Sequence, residues 1–242
     1  MKLSKPLISV IIPALNEENN LSDCLSSLTS QKTTIPYEII LVDNNSEDNT
    51  FKIAKSFSVK AVKETKRGRS YARQMGAMTA KGKYLAFTEA DCEVPKDWIQ
   101  AIYDFYNQNP QIIGFSGSYT FKNSSFIMQK MAPFNLALSS MLYKLVTGNH
   151  TFRGTNFTVQ KKYLLQAGGF NHLAVPFDDV ELGLRAGKLG TIKFNPEIKV
   201  LTSDRRIKKR LFTFFLEFIR AYSRIFIFKQ KGYDLLYENI RN

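Results

Sequence analysis

Hydrophobic and polar positions alternate in blocks along the first half of the chain. Residues 7–12 are almost wholly apolar and rich in β-branched side chains, which predicts a strand covered on both faces and stopped by Pro13. Leu21, Cys24, Leu25 and Leu28 then recur at helical spacing. Residues 37–42 predict a second strand, 51–57 a helix, 59–62 a short strand, and 69–80 a helix closed by Gly82. Further strands are expected at 84–87 and 112–117. Alternation of this kind implies an α/β domain whose sheet is mostly parallel, with right-handed crossovers.

Acidic residues gather where the apolar runs stop. Glu17 follows the first run, Asp43 opens a dense polar turn after the second, and Glu89 and Asp91 follow the run at 84–87. On a parallel sheet these positions share one rim, the crevice where open α/β folds bind ligands. Any one of them alone is also what a solvated acidic turn looks like. Confinement to strand ends favours a site, and carboxylates suit a hard divalent cation that bridges to phosphate.

Composition narrows the class. The chain has 242 residues, 44% hydrophobic and 23% charged, enough to bury a core without disulfides. Cys24 and Cys92 match no metal-ligand spacing and are expected as small buried residues of a protein in a reducing compartment. His150 and His172 build no metal cluster with them. The formal charge of +13 favours phosphorylated substrates, anionic lipid or nucleic acid. Ten basic residues against three acidic ones lie from Arg205 onward, so much of the excess is in the tail. The first six residues run directly into a strand without a signal-peptide pattern, and no apolar run is long enough to span a bilayer.

Four motifs in register carry a family resemblance: residues 8–17 (ISVIIPALNE), 38–46 (EIILVDNNS) with Asp48 and Thr50, 69–76 (RSYARQMG), and Glu89-Ala90-Asp91. Together they resemble the inverting family 2 glycosyltransferases over roughly residues 6–205. The resemblance implies a single, Rossmann-like GT-A domain at 1–204, its nucleotide-sugar-binding half at about 1–117 and its acceptor-binding half at about 118–204. Pro13, Leu15 and Glu17 would then lie near the nucleoside and Asp43 would bond base or ribose. Arg69 and Arg73 would meet phosphate, unless they are helix arginines facing solvent. Glu89-Ala90-Asp91 stands at the family's Asp-any-Asp signature, so Asp91 is expected to bind Mg²⁺ or Mn²⁺. Glu89 is expected as a second ligand or a ribose contact. Asn44 occupies a place where many members carry a second aspartate.

The same resemblance extends downstream. Gly154-Thr155-Asn156 stands at the acceptor-side glycine strand. Asp178-Asp179 stands at the Glu-Asp motif, which implies Asp179 as the general base and Asp178 near the acceptor. Read by itself, 178–186 is a helix with Asp178 able to cap it. Arg205 and Arg206 resemble basic residues that clamp the diphosphate. The implied donor is a UDP- or GDP-linked sugar, and the acceptor a lipid-linked or saccharide hydroxyl of the cell envelope.

Two stretches carry more than one reading. Residues 126–146 are a core helix, or a groove or membrane-facing element for an apolar acceptor. The tail, 205–242, sets a basic cluster before an aromatic amphipathic stretch at 211–228. It is expected to lie on the cytoplasmic, anionic face of a membrane or to pack on the domain or on a second copy. A nucleotidyltransferase on a similar fold is a rival reading. A nucleic-acid-binding protein would account for the charge, but the strand-end acids would repel its ligand.

Overall fold

The computed structural model describes residues 5–122, 124–174 and 177–205. Arg206 and the remainder of the expected amphipathic tail lie outside the described residues. Among the described residues the chain builds one eight-stranded sheet, ordered β3-β2-β1-β4-β7-β6-β8-β5. β1 (Ile8–Ala14), β2 (Tyr37–Asp43), β3 (Lys60–Lys63) and β4 (Tyr84–Thr88) pair in parallel, as the block alternation predicts. Helices α1 (Leu21–Thr29), α2 (Thr50–Ser56) and α3 (Arg69–Thr79) form the connections. The expected apolar face of α1, namely Leu21, Cys24, Leu25 and Leu28, is fully buried.

The second half turns the sheet mixed. After the short β5 (Cys92–Glu93) come α4 (Trp98–Gln108), β6 (Ile112–Phe121), α5 (Phe126–Thr147), β7 (Asn156–Gln160), α6 (Lys161–Gln166), α7 (Asp178–Ala186) and β8 (Thr191–Thr202). β7 inserts antiparallel between β4 and β6, whereas β6 and β8 run parallel. β8 carries Pro196, which removes a ladder donor. It falls where the register jumps from Gly117↔Asn195 to Ser118↔Lys199, an irregularity that tolerates it. Helix α4 was legible in Trp98, Ile99, Ile102 and Tyr106, all buried, although the strand-end acids draw attention away from it.

Both faces of the sheet are covered. One cluster packs α1 and α4 against Val10, Ile12, Leu41 and Phe115. The other packs α3, α6 and α7 against Ile11, Val42, Phe87 and Phe157. α3 lies so close to β1 that a Cβ on Gly76 would stand 2.4 Å from the Ile11 side chain, so only glycine fits there. Cys24 and Cys92 are free and buried, as expected; burial, with Asp91 next, pushes the Cys92 thiol up to about 12. That leaves both as unreactive packing groups.

The antiparallel register of β7 decides the position of the site. Thr88, the last residue of β4, pairs with Asn156, the first of β7. The Glu89–Asp91 turn therefore sits beside the 151–155 loop, and α7 packs on that loop so closely that a Cβ on Gly183 would stand 2.8 Å from Thr151.

Candidate active site

The turns after β1 and β2 are laced together. Asn44 N donates to Ala14 O at 2.8 Å, Glu17 N to Thr50 Oγ1 at 2.8 Å, and Glu18 N to Asp48 Oδ2 at 3.1 Å. Asn16 and Asn45 take positive φ values of 54° and 62°, which asparagine tolerates better than most residues. Leu15 stays exposed at the tip, Pro13 and Glu17 are buried, and Asp43 ends β2 almost fully enclosed. Asp43 Oδ1 accepts no hydrogen bond in the structure. A buried acceptor left this way lacks about 1–3 kcal/mol of compensation until a donor arrives.

Asn44 is a pin that an aspartate could not replace. Its amide nitrogen donates to Glu64 O (3.2 Å) and Lys66 O (2.7 Å), and its Oδ1 accepts from Gly68 N at 2.7 Å. It thereby fixes the loop that starts α3, and with it the bases of Arg69 and Arg73. Asn44→Asp would turn an acceptor-only oxygen toward two carbonyls. The expected cost is about 1–3 kcal/mol of stability, read from the midpoint of urea unfolding.

Arg73 does not face solvent, and Arg69 faces it only in part. Arg73 is fully buried, and its guanidinium meets Asp178 at 2.9 Å and Glu89 at 3.4 Å. Arg69, partly exposed, meets Glu89 at 3.1 Å and Asp178 at 3.5 Å. Two cations and two carboxylates thus interlock α3, the β4 turn and the start of α7. The Arg73 guanidinium lies directly over Gly154, where an added Cβ would come within 2.0 Å of Nη2. The glycine makes room for this arginine, so its smallness is already used inside the protein.

Asp178 and Asp179 divide their work. The structure corrects the capping expectation: Asp178 is the first residue of α7, its side chain caps nothing, and its carboxylate is spent on Arg73. Asp179 accepts from Gly154 N and, at 2.9 Å, from Val180 N. Burial, opposed by Arg73 and assisted by Asp178, raises its carboxyl above the usual range. A carboxylate shifted upward is a stronger base than a solvated one. Asn156, expected on the acceptor side, is engaged within the fold. It is buried, donates to Ser118 O and Ile198 O, and accepts from Trp98 Nε1, so its side chain serves the fold. Gly154, one residue before Thr155, stays beside Asp179.

On the opposite wall stands Arg205, expected from the resemblance at the diphosphate; its pairing with the strand-end acids was not expected. Arg205 reaches both Glu17 and, at 3.5 Å, Asp91, so one guanidinium bridges the β1 and β4 turns. Hard oxygens around a single cationic position fit a divalent ion held by Asp91. Among the described residues no three His, Cys, Asp or Glu side chains group into a cage. Mg²⁺ in nucleotide sites commonly uses one or two carboxylates and completes its shell with phosphate and water. Glu89 is engaged by both α3 arginines and Asp91 by Arg205, so either carboxylate would exchange an arginine for the cation.

Residues 9–168, more than half of the chain, match the model of glycosyl transferase family 2. The chain belongs to that family. Glycosyltransferase AglE of Haloferax volcanii is 26% identical over 200 residues, covering 78% of this chain and 64% of the relative. Glycosyltransferase GlyA of Streptococcus pneumoniae is 27% identical over 207 residues, covering 83% of this chain but only 29% of the relative. The chain therefore spans less than two thirds of the length of these relatives. The mannosyltransferase PcManGT of Pyrobaculum calidifontis, solved with GDP-Man and Mn²⁺, superposes with a TM-score of 0.65 at 20% identity over 82% of this chain and 57% of its own. TarS of S. aureus gives 0.65 at 19% over 81% of this chain and 36% of its own. These likenesses establish the GT-A fold, and the family places the chain among glycosyltransferases.

Proposed function

We propose that this family 2 chain transfers a sugar, with inversion and with the help of a divalent cation, from a nucleoside diphosphate sugar to the hydroxyl of a lipid-linked or envelope saccharide. The observation that carries the reading is the continuous line of contacts from Glu17 through Arg205 and Asp91, and from Glu89 through Arg69 and Arg73 to Asp178 beside Asp179. With Asp43 at the end of β2, it supports reading a nucleoside acceptor, a cation position and a base along one rim. Structural neighbours solved with UDP-GlcNAc, UDP and GDP-Man support a nucleotide-sugar donor and leave both bases open.

Asp43 and the 13–17 turn would hold base and ribose. Asp91 would hold Mg²⁺ or Mn²⁺, which neutralises charge on the departing diphosphate. Arg205, which pairs with Glu17 and Asp91, would turn to the diphosphate as the donor enters. Asp179 takes the proton of the acceptor hydroxyl while that oxygen forms its bond to the anomeric carbon. The bond to the diphosphate oxygen breaks on the opposite face and its electron pair leaves with the nucleoside diphosphate. One displacement inverts the centre. The Arg73 network keeps α7 in register with Gly154, so the base is oriented before substrate arrives.

The direct test uses Asp91→Ala and a thermal-shift screen of nucleoside diphosphates with Mn²⁺. Wild type should be stabilised by one of them in a metal-dependent way, and the variant should bind it at least about tenfold more weakly. Equal affinity in the two proteins would remove Asp91 from the donor site.

A further inference from the structure

Among the described residues, helix α5 packs on the domain by one side. Leu136, Ser140 and Tyr143 are buried against the domain. On the other side Met131, Phe134, Leu138, Met141, Leu142, Leu145 and Val146 are each between 46% and 72% exposed. At 100° per residue these seven fall within one stripe, broken only by Asn135, along a 22-residue helix roughly 33 Å long. Monomeric proteins seldom leave a contiguous apolar patch of this kind in water. The helix carries no acid, and its charges are Lys130 and Lys144.

We propose that this face docks on an anionic lipid bilayer, with α5 lying in the interface plane. An apolar stripe edged by lysines matches the acyl boundary and the negative head groups at once. Crossing is excluded for α5, since no helix among the described residues is long and apolar enough. A second copy would set Lys130 and Lys144 against their own kind. The chain's own residues 211–228 carry Arg220 and Arg224 against Glu217, so they too present like charge. The described chain ends at Arg205, and just before it Asp204 Oδ2 accepts from Ser124 Oγ at 2.6 Å, beside the start of α5.

Docking would also orient the site. Ser140 Oγ meets His150 Nδ1 at 2.8 Å and Arg153 Nη2 donates to Ser139 Oγ at 3.0 Å, so the inner side of α5 buttresses the loop whose Gly154 N holds Asp179. If the transferase reading holds, the acceptor hydroxyl is then presented from the membrane side, which fits a saccharide on a lipid anchor. The docking itself does not depend on that reading.

The test is cosedimentation of the full chain with vesicles of equal parts phosphatidylcholine and phosphatidylglycerol, with pure phosphatidylcholine vesicles as the second arm. Wild type should sediment with the anionic vesicles. Phe134→Ser/Leu138→Ser/Leu142→Ser/Leu145→Ser, all at exposed positions, should lower the partition coefficient at least about tenfold. Lys130→Gln/Lys144→Gln should weaken it and reduce its salt dependence. Unchanged circular dichroism and an unchanged nucleotide thermal shift would show the variants folded. Failure of wild type to sediment, equal binding to neutral vesicles, or a serine variant that sediments like wild type would each overturn the proposal. So would a serine variant that loses only self-association in analytical ultracentrifugation. Absence of any nucleotide shift in wild type would count against the transferase reading alone.

Discussion

Asp179→Asn is expected to lower the transfer rate by about 10²- to 10⁴-fold, the range that a positioned general base supplies. Nucleotide binding should be unaffected, because Asp179 touches Gly154 and Val180 and none of the residues around Asp43 or Asp91. The asparagine amide cannot accept from both backbone N–H groups, so its rotamer will favour one and face the other donor to donor. Steady-state transfer measured beside a thermal-shift titration separates the effects, and a rate near wild type would remove the base assignment. The pH profile has a definite sign. Reaction needs the carboxylate, and burial raises the Asp179 carboxyl above its ordinary value of about 3.9. The rate should therefore fall with acidification through a pKa above that value, and the asparagine variant should lose this limb. Stability runs the other way. Between the unfolded and the raised folded pKa the native state holds the extra proton, so this group's contribution to stability declines as pH rises through that window.

Arg73→Met should destabilise the fold by about 3–5 kcal/mol, the usual cost of removing one partner from a buried ion pair. Methionine nearly matches the volume but leaves Asp178, fully enclosed, and Glu89, nearly so, without their inner cation. Arg69 cannot take over both, since it reaches Asp178 only at 3.5 Å. Urea unfolding gives the magnitude, and the double variant Arg73→Met/Asp178→Leu should recover part of the loss because the stranded charge goes with its partner. A shift below about 1 kcal/mol, typical of exposed ion pairs, would mean that the network is solvated in solution.

How much of this could be read along the chain differs from element to element. The first four strands and their helices were legible because residues that neighbour in sequence also share a face, and a fully covered strand such as Ile8–Ala14 is apolar throughout. The strand-end acids were legible for the same reason: once a run is a parallel strand, the residue after it lies on the rim. The 126–146 stretch was legible as an apolar helix but ambiguous in role, because periodicity reveals a stripe and not what lies against it. β8 was hidden by Asn195 and Pro196, a turn-like pair in the middle of the strand.

The sequence by itself determined the α/β class, the rim with Glu17, Asp43 and Asp91, and the motifs that led to the family. Only the tertiary structure decided what the charges do to one another. Arg73 and Asp178 are 105 residues apart, and Arg205 and Glu17 are 188 apart. No local pattern encodes such pairings; the antiparallel insertion of β7 sets the 151–155 loop, on which α7 packs, beside the end of β4, and the pairing of β8 with β5 and β6 brings Arg205 to the turns after β1 and β4. Side-chain type and spacing say where a residue faces. Which opposite charge it meets, and so whether it binds substrate or holds the base in place, is set by the packing of elements far apart in the chain.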